Sequence, residues 1–123
     1  MTSRKKKILI VDDSPLIVKR LLTMLEDLPD LEWVKHAGSY TDGVEQMKTT
    51  EPGILLLDIN LPDKSGIELL RTAKATNPSI KVIMITNQAN EYYRKLCLSL
   101  GADSFIDKSK EFELIAEKIA LMQ

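Results

Sequence analysis

Four aliphatic residues, Ile54-Leu55-Leu56-Leu57, run unbroken into the carboxylate of Asp58, with Pro52-Gly53 before them and Leu61-Pro62 after. A run this short and this apolar predicts a strand covered on both faces, the environment of a central strand in a parallel sheet. Asp58 then stands at the carboxyl edge of that strand. Open α/β sheets collect ligands there, because the loops leaving the strand tips form a crevice. Asp58 is therefore the candidate reacting group.

The rest of the chain supplies the partners such a strand needs. Lys7-Ile8-Leu9-Ile10-Val11 is a second buried aliphatic run, and it too ends in acid, Asp12-Asp13. Ser14-Pro15 follows, a hydroxyl suited to an N-cap and a proline suited to the first helical position. Leu16, Ile17, Leu21, Met24, Leu25 and Leu28 then recur at helical spacing until Pro29. Leu31 to Ala37 alternates loosely and predicts a shorter, more exposed strand, and Thr41 to Thr50 reads as a helix capped by Thr41 or Asp42.

Beyond Asp58, Ile59 to Lys64 is a loop, and Ser65-Gly66-Ile67-Glu68 has the spacing of a capping box. Its helix turns Ile67, Leu70 and Ala73 inward and stops at Asn77-Pro78. Ile80 to Ile85 is a fourth strand and delivers Thr86. Ala89 to Leu100 makes a helix with Tyr93, Leu96, Cys97 and Leu100 on one face, closed by Gly101. Asp103 to Asp107 is a fifth strand that delivers Lys108, after which Ser109 caps a last helix with Phe112, Ile115, Ala116 and Ile119 inward.

Strand and helix alternate five times across 123 residues without a linker, which predicts one domain, residues 1–123. The expected architecture is α/β: a flavodoxin-like, doubly wound, five-stranded parallel sheet of order 2-1-3-4-5 with helices on both faces. Seventeen basic and eighteen acidic residues leave no overall drive toward nucleic acid or an anionic membrane. Arg4 to Lys7 is read as a solvated lead-in to the first strand. No apolar run reaches the roughly 18 residues of a membrane span, and a single cysteine permits no internal disulfide, so a cytoplasmic protein is expected. His36, the only histidine, sits on the peripheral strand and is read as structural or solvated.

In the expected strand order the first and third strands are neighbours, which brings Asp12, Asp13 and Asp58 to one edge. Three carboxylates so close repel, so they must bind protons or share a cation. An all-oxygen set with few protein donors suits Mg²⁺. Thr86 and Lys108 arrive from the fourth and fifth strands. Each of these residues alone has a plainer role, as a helix cap, a backbone partner or a surface charge. A hydroxyl, an ammonium and a divalent cation converging on one carboxylate describe a site for aspartyl phosphate.

The residues that carry this set also carry a resemblance. The segments Ile8 to Ser14, Leu56 to Pro62 with Gly66, Ile83 to Thr86 and Gly101 to Lys108 together resemble the receiver domain of response regulators in two-component signalling, over essentially the whole chain. The resemblance implies that Asp58 takes a phosphoryl group from a phosphohistidine of a sensor histidine kinase or phosphotransfer protein. It implies Mg²⁺ held by Asp13, Asp58 and the backbone carbonyl of Asn60, with Asp12 acting through metal-bound water. Thr86 is implied as the switch hydroxyl and Phe105 as the switch aromatic, turning inward into the space Thr86 vacates. Asn60, Asn87 and Gln88 would tune the lifetime of the phosphoryl group. Output would be a protein target on the face of the fourth helix, fifth strand and fifth helix, near Tyr92, Tyr93, Lys95, Phe105 and Lys110. The chain would be no enzyme toward other molecules, but would promote its own phosphotransfer and dephosphorylation.

Two positions depart from the family pattern. Ser109 stands where proline usually follows the lysine, which predicts a trans Lys108-Ser109 bond, since a cis bond before a non-proline costs about 2.5–4 kcal/mol. Asn87 stands where many relatives carry a small residue. Other readings fit less well. An aspartate-nucleophile phosphatase would carry a second acid at position 60, which is Asn, and a flavin carrier would not place Asp12-Asp13 against a phosphate. A pseudo-receiver that only binds partners would keep the fold and drop the chemistry.

Overall fold

The structure is a computed structural model and describes residues 5–87 and 89–122. Arg4 and Gln88 lie outside the described residues. The elements in chain order are β1 (Lys6–Val11), α1 (Pro15–Leu25), β2 (Leu31–Ala37), α2 (Tyr40–Thr50) and β3 (Ile54–Asp58), followed by α3 (Gly66–Thr76), β4 (Lys81–Thr86), α4 (Glu91–Ser99), β5 (Ser104–Asp107) and α5 (Leu114–Ala120). Every strand pair is parallel, and the sheet order is β2-β1-β3-β4-β5. This is the doubly wound order expected from the sequence.

Alternation along the strands divides the core in two. Ile8, Ile10, Ile54, Leu56, Ile83, Ile85 and Ile106 face one side and pack with Val18, Leu21 and Leu25 of α1 and Ile115 and Ile119 of α5. Leu9, Val11, Leu55, Leu57, Val82, Met84 and Phe105 face the other and pack with α2, α3 and α4, where Cys97 is buried as ordinary packing. All five residues of β3 are buried, Asp58 included, which is why its sequence has no polar position before its end. Gly101, with φ of +103°, turns the chain out of α4 in the left-handed region that glycine reaches at little cost.

Several local expectations are corrected. Strand β2 is exposed as expected, yet at seven residues it is the longest strand, not a shorter one. It pairs with β1 from Leu31 to Ala37 except at Glu32, where the register shifts, and that pairing sustains an edge strand of mixed polarity. The N-cap of α2 is Ser39, whose side chain accepts from the N–H of Asp42, and not Thr41 or Asp42. Helix α3 forms half of the predicted capping box: Ser65 Oγ accepts from Ile67 N–H, while Glu68 pairs with Arg71 at 3.6 Å. Helix α4 starts at Glu91 because Asn90, the cap, accepts from Tyr93 N–H. Ser109 caps no helix. Its N–H and hydroxyl both donate to Asp107 Oδ1, at 2.8 and 2.7 Å, and α5 begins only at Leu114. All peptide bonds among the described residues are trans, Lys108-Ser109 among them.

Candidate functional site

Register builds the site before any side chain is considered. Val11 pairs with Leu57 in the β1–β3 ladder, so Asp12 and Asp58 leave adjacent strand tips together. Asp58 pairs with Ile85 and Thr86 with Asp107, so Thr86 and Lys108 each stand one residue beyond that line. Ligand oxygens of Asp12, Asp13 and Asp58 lie within 4.8 Å of one another. Asp12 and Asp58 are buried and Asp13 is exposed to solvent, which leaves the cluster open on one side. Asp12, Asp13 and His36 line a common groove between α1 and β2, with His36 at its exposed rim.

Lys108 is the counter-charge. Its Nζ lies 2.6 Å from Asp12 Oδ2 and 3.2 Å from Asp58 Oδ2, and the residue is 7% exposed. The Asp12 contact is ionic but off-angle for a hydrogen bond, so Asp12 Oδ2 is buried without a hydrogen-bond partner among the described residues. Its other oxygen accepts from Ser14 N–H at 2.9 Å. When the carboxylates are ionised, three negative charges face one ammonium. Burial pushes the Asp58 carboxyl above its ordinary value and Asp12 adds to the rise, while Lys108 opposes it. An excess of carboxylate oxygens over the ammonium that faces them fits a hard divalent cation such as Mg²⁺.

The loop after β3 is closely held. Asn60 N–H donates to Asp58 Oδ1 at 3.3 Å, and Gly66 N–H donates to Ile59 O at 2.7 Å. A Cβ on Gly66 would stand 1.8 Å from the backbone oxygen of Asp58, so only glycine allows α3 to begin this close to the site. Thr86 is fully buried at the tip of β4, and its carbonyl accepts from Lys108 N–H at 2.9 Å. Asn87, next along, is exposed.

Phe105 lies on the same face of the sheet as Thr86, paired through β5 with Met84. Its ring is already buried, 4% exposed, with the Arg94 guanidinium 5.1 Å from its centroid. Arg94, from α4, lies over the ring and covers it from that side. Phe105 is accordingly not part of the exposed face, which instead presents Tyr92, Lys95 and Lys110; Tyr93 is half-buried against the core. Sequence reasoning also passed over Asp63, which accepts hydrogen bonds from residues on α2. Those partners are 22 and 23 positions away, so no local spacing signals them.

Comparison with known proteins identifies the family to which this fold belongs. Residues 8–120 match the family model described as the response regulator receiver domain. A protein-glutamate methylesterase/protein-glutamine glutaminase of Clostridium acetobutylicum is 34% identical over 97% of this chain, which spans 35% of that protein. The response regulator protein VraR of Staphylococcus saprophyticus is 33% identical over 92% of this chain and 54% of its own length. The chain thus spans roughly a third to a half of these curated relatives. A receiver domain protein (CheY-like) from Methanospirillum hungatei superposes with a TM-score of 0.84 at 34% identity, covering 94% of this chain and 90% of that one.

Proposed function

This chain belongs to the family of response regulator receiver domains of two-component systems, and on that premise we propose that Asp58 accepts a phosphoryl group from a phosphohistidine on a sensor kinase or phosphotransfer protein. The observation that carries the reading is the meeting of three carboxylates within 4.8 Å with one buried ammonium, 3.2 Å from Asp58. A structural ion pair needs one acid for its lysine. A surplus of buried acid costs stability and earns its place only as a site for a cation and a reacting anion.

Each residue has a distinct task. Asp13 and Asp58, with the Asn60 carbonyl, would hold Mg²⁺, and Asp12 would act on it through water. When bound, the ion supplies the charge that lets an anionic donor approach an anionic nucleophile. An Asp58 carboxylate oxygen forms the O–P bond as the donor's N–P bond breaks, its electron pair returning to the imidazole nitrogen. Lys108 is already at the nucleophile and neutralises charge gathering on the phosphoryl oxygens. The Thr86 hydroxyl donates to one of those oxygens, drawing the tip of β4 toward the site. Asn60 and Asn87 bear on the water that later removes the group; Gln88, assigned the same role from sequence, lies outside the described residues.

Phosphorylation shifts the populations of two surface states and so alters affinity for a protein target. The face of α4, β5 and α5 is the proposed docking surface, with Tyr92, 70% exposed, as its anchor. No described helix is long and apolar enough to cross a membrane. Incubation with acetyl phosphate tests the acceptor reading by intact mass. Wild type in Mg²⁺ gains one phosphoryl mass; wild type in EDTA and Asp58→Asn gain none. Absence of any gain in Mg²⁺ would leave a partner-binding domain without the chemistry.

A further inference from the structure

The loop that follows Asp58 is fastened to α2 by one side chain. Asp63 Oδ1 accepts from Tyr40 N–H at 2.8 Å and from its neighbour Lys64 N–H at 3.1 Å. Its Oδ2 accepts from Thr41 N–H at 3.0 Å and from the Thr41 hydroxyl at 2.8 Å. Ser39 meanwhile serves Asp42 N–H, and Gly43 N–H begins the helical ladder by donating to Ser39 O. The first turn of α2 is therefore satisfied half from within and half from a loop distant in sequence. These bonds, that from Thr41 N–H foremost, hold the Asp63 carboxyl well below the usual carboxylate range. Tyr40 adds a second tie: Lys64 Nζ lies 4.9 Å from its ring centroid, and its hydroxyl shares a hydrogen bond with Thr72 of α3 at 3.0 Å.

The same loop carries Asn60, whose N–H donates to Asp58 Oδ1. Between Asn60 and Asp63 lie Leu61, half-buried against the core, and Pro62, whose ring fixes its own φ. Few soft dihedrals separate the acceptor site from the carboxylate that caps α2. We infer that Asp63 is a positioning residue: it couples occupancy of the acidic site to the order of the α2 N-terminus, so that α2 responds to the site independently of the α4–β5–α5 face. The inference rests on the Mg²⁺ reading of the site and adds a residue and an element to it. Linkage makes the coupling reciprocal. A bound cation tightens the first turn of α2, and loss of the Asp63 bonds weakens the cation.

The test is a Mg²⁺ titration of the full chain followed by ¹⁵N–¹H spectra and amide hydrogen exchange, on wild type, Asp63→Ala, Asp63→Asn and Ser39→Ala. Cross-peaks of Asp13 and Asn60 report the site, and exchange at Tyr40 and Thr41 reports the helix end. In wild type, Mg²⁺ slows exchange at Tyr40 and Thr41 by roughly fivefold, the lower range of ordinary coupling. In Asp63→Ala that slowing is lost and the Mg²⁺ Kd rises by a similar factor, with Asp63→Asn, which keeps an acceptor of the same shape, in between. Ser39→Ala removes one cap of the same turn but keeps the bonds to Asp63, and so raises the Kd by clearly less than Asp63→Ala does. Two results overturn the inference while sparing the site: Tyr40 and Thr41 indifferent to a cation that Asp13 and Asn60 register, or Ser39→Ala weakening Mg²⁺ as much as Asp63→Ala. No response at Asp13 or Asn60 overturns both.

Discussion

At Asp58, burial and the ion pair with Lys108, 3.2 Å away, pull in opposite directions. Burial is the largest influence on Asp58 and raises its pKa; Lys108 lowers it and Asp12 raises it again, with a net rise. A carboxyl with a folded value above its unfolded one binds its proton more tightly when folded. That preference is felt as pH falls through the folded value toward the ordinary value of 3.8, and the metal-free protein gains stability in that window. Above it, ionised Asp58 is a burden. Thermal melts in EDTA should therefore show Asp58→Asn with a higher Tm than wild type at neutral pH, the difference closing as the buffer approaches pH 4. Lys108 works in the opposite sense. Lys108→Ala leaves Asp12 and Asp58 buried and facing each other, and urea unfolding should record a loss of about 3 kcal/mol, as for other broken buried pairs. The double variant Lys108→Ala/Asp58→Asn should recover part of that loss, because one of the stranded charges is gone. The meeting of Asp12, Asp13, Asp58 and Thr86 was legible in the sequence because each ends or follows a strongly aliphatic strand, whereas Lys108 follows the short, mixed β5 and was placed by the alternation of elements. The buried state of Phe105 was not legible, since it depends on Arg94 of another element lying over its ring.

At the level of elements, the divide between what sequence shows and what it hides falls at the helix ends. The start of helix α1 was read correctly, because Ser14 Oγ accepts from Ile17 N–H within one turn, although the helix ends at Leu25 and not near Pro29. The start of α2 was misread because half its capping comes from Asp63, and that of α5 because Asp107 takes both donors of Ser109 in a tight turn. The junction of β3 with α3 is the least forgiving. Gly66→Ala drives a Cβ into the backbone of Asp58, which cannot swing aside as a side chain would. We expect a loss of about 3 kcal/mol, the upper end of ordinary overpacking, together with weakened Mg²⁺ binding, measured by urea unfolding with and without the ion. The Asp107–Ser109 turn predicts a milder effect. Ser109→Ala removes the larger of the influences that hold the Asp107 carboxyl low, so its titration, followed by carboxyl NMR, should move upward toward the ordinary value.

For the molecule as a whole, the sheet order puts the acidic cluster at the tips of its middle strands and lays two helices on one face and three on the other. The two-sided burial of the central strands followed from the aliphatic runs, and the order from five strand–helix alternations in a chain of this length. A ligand that binds only this assembled arrangement must stabilise it: at a hundred times its Kd, Mg²⁺ should add about 2.7 kcal/mol. EDTA should reverse that gain, and Asp13→Asn should largely abolish it. The account stands or falls on where a phosphoryl group goes. The most direct measurement is borohydride reduction of the protein after acetyl phosphate treatment in Mg²⁺, followed by peptide mass mapping, since an aspartyl phosphate is reduced to homoserine and a free carboxylate is not. The account predicts homoserine at position 58 alone, dependent on Mg²⁺ and absent from Asp58→Asn. Homoserine at Asp12 or Asp13, or none at all despite a phosphorylated mass, would contradict it.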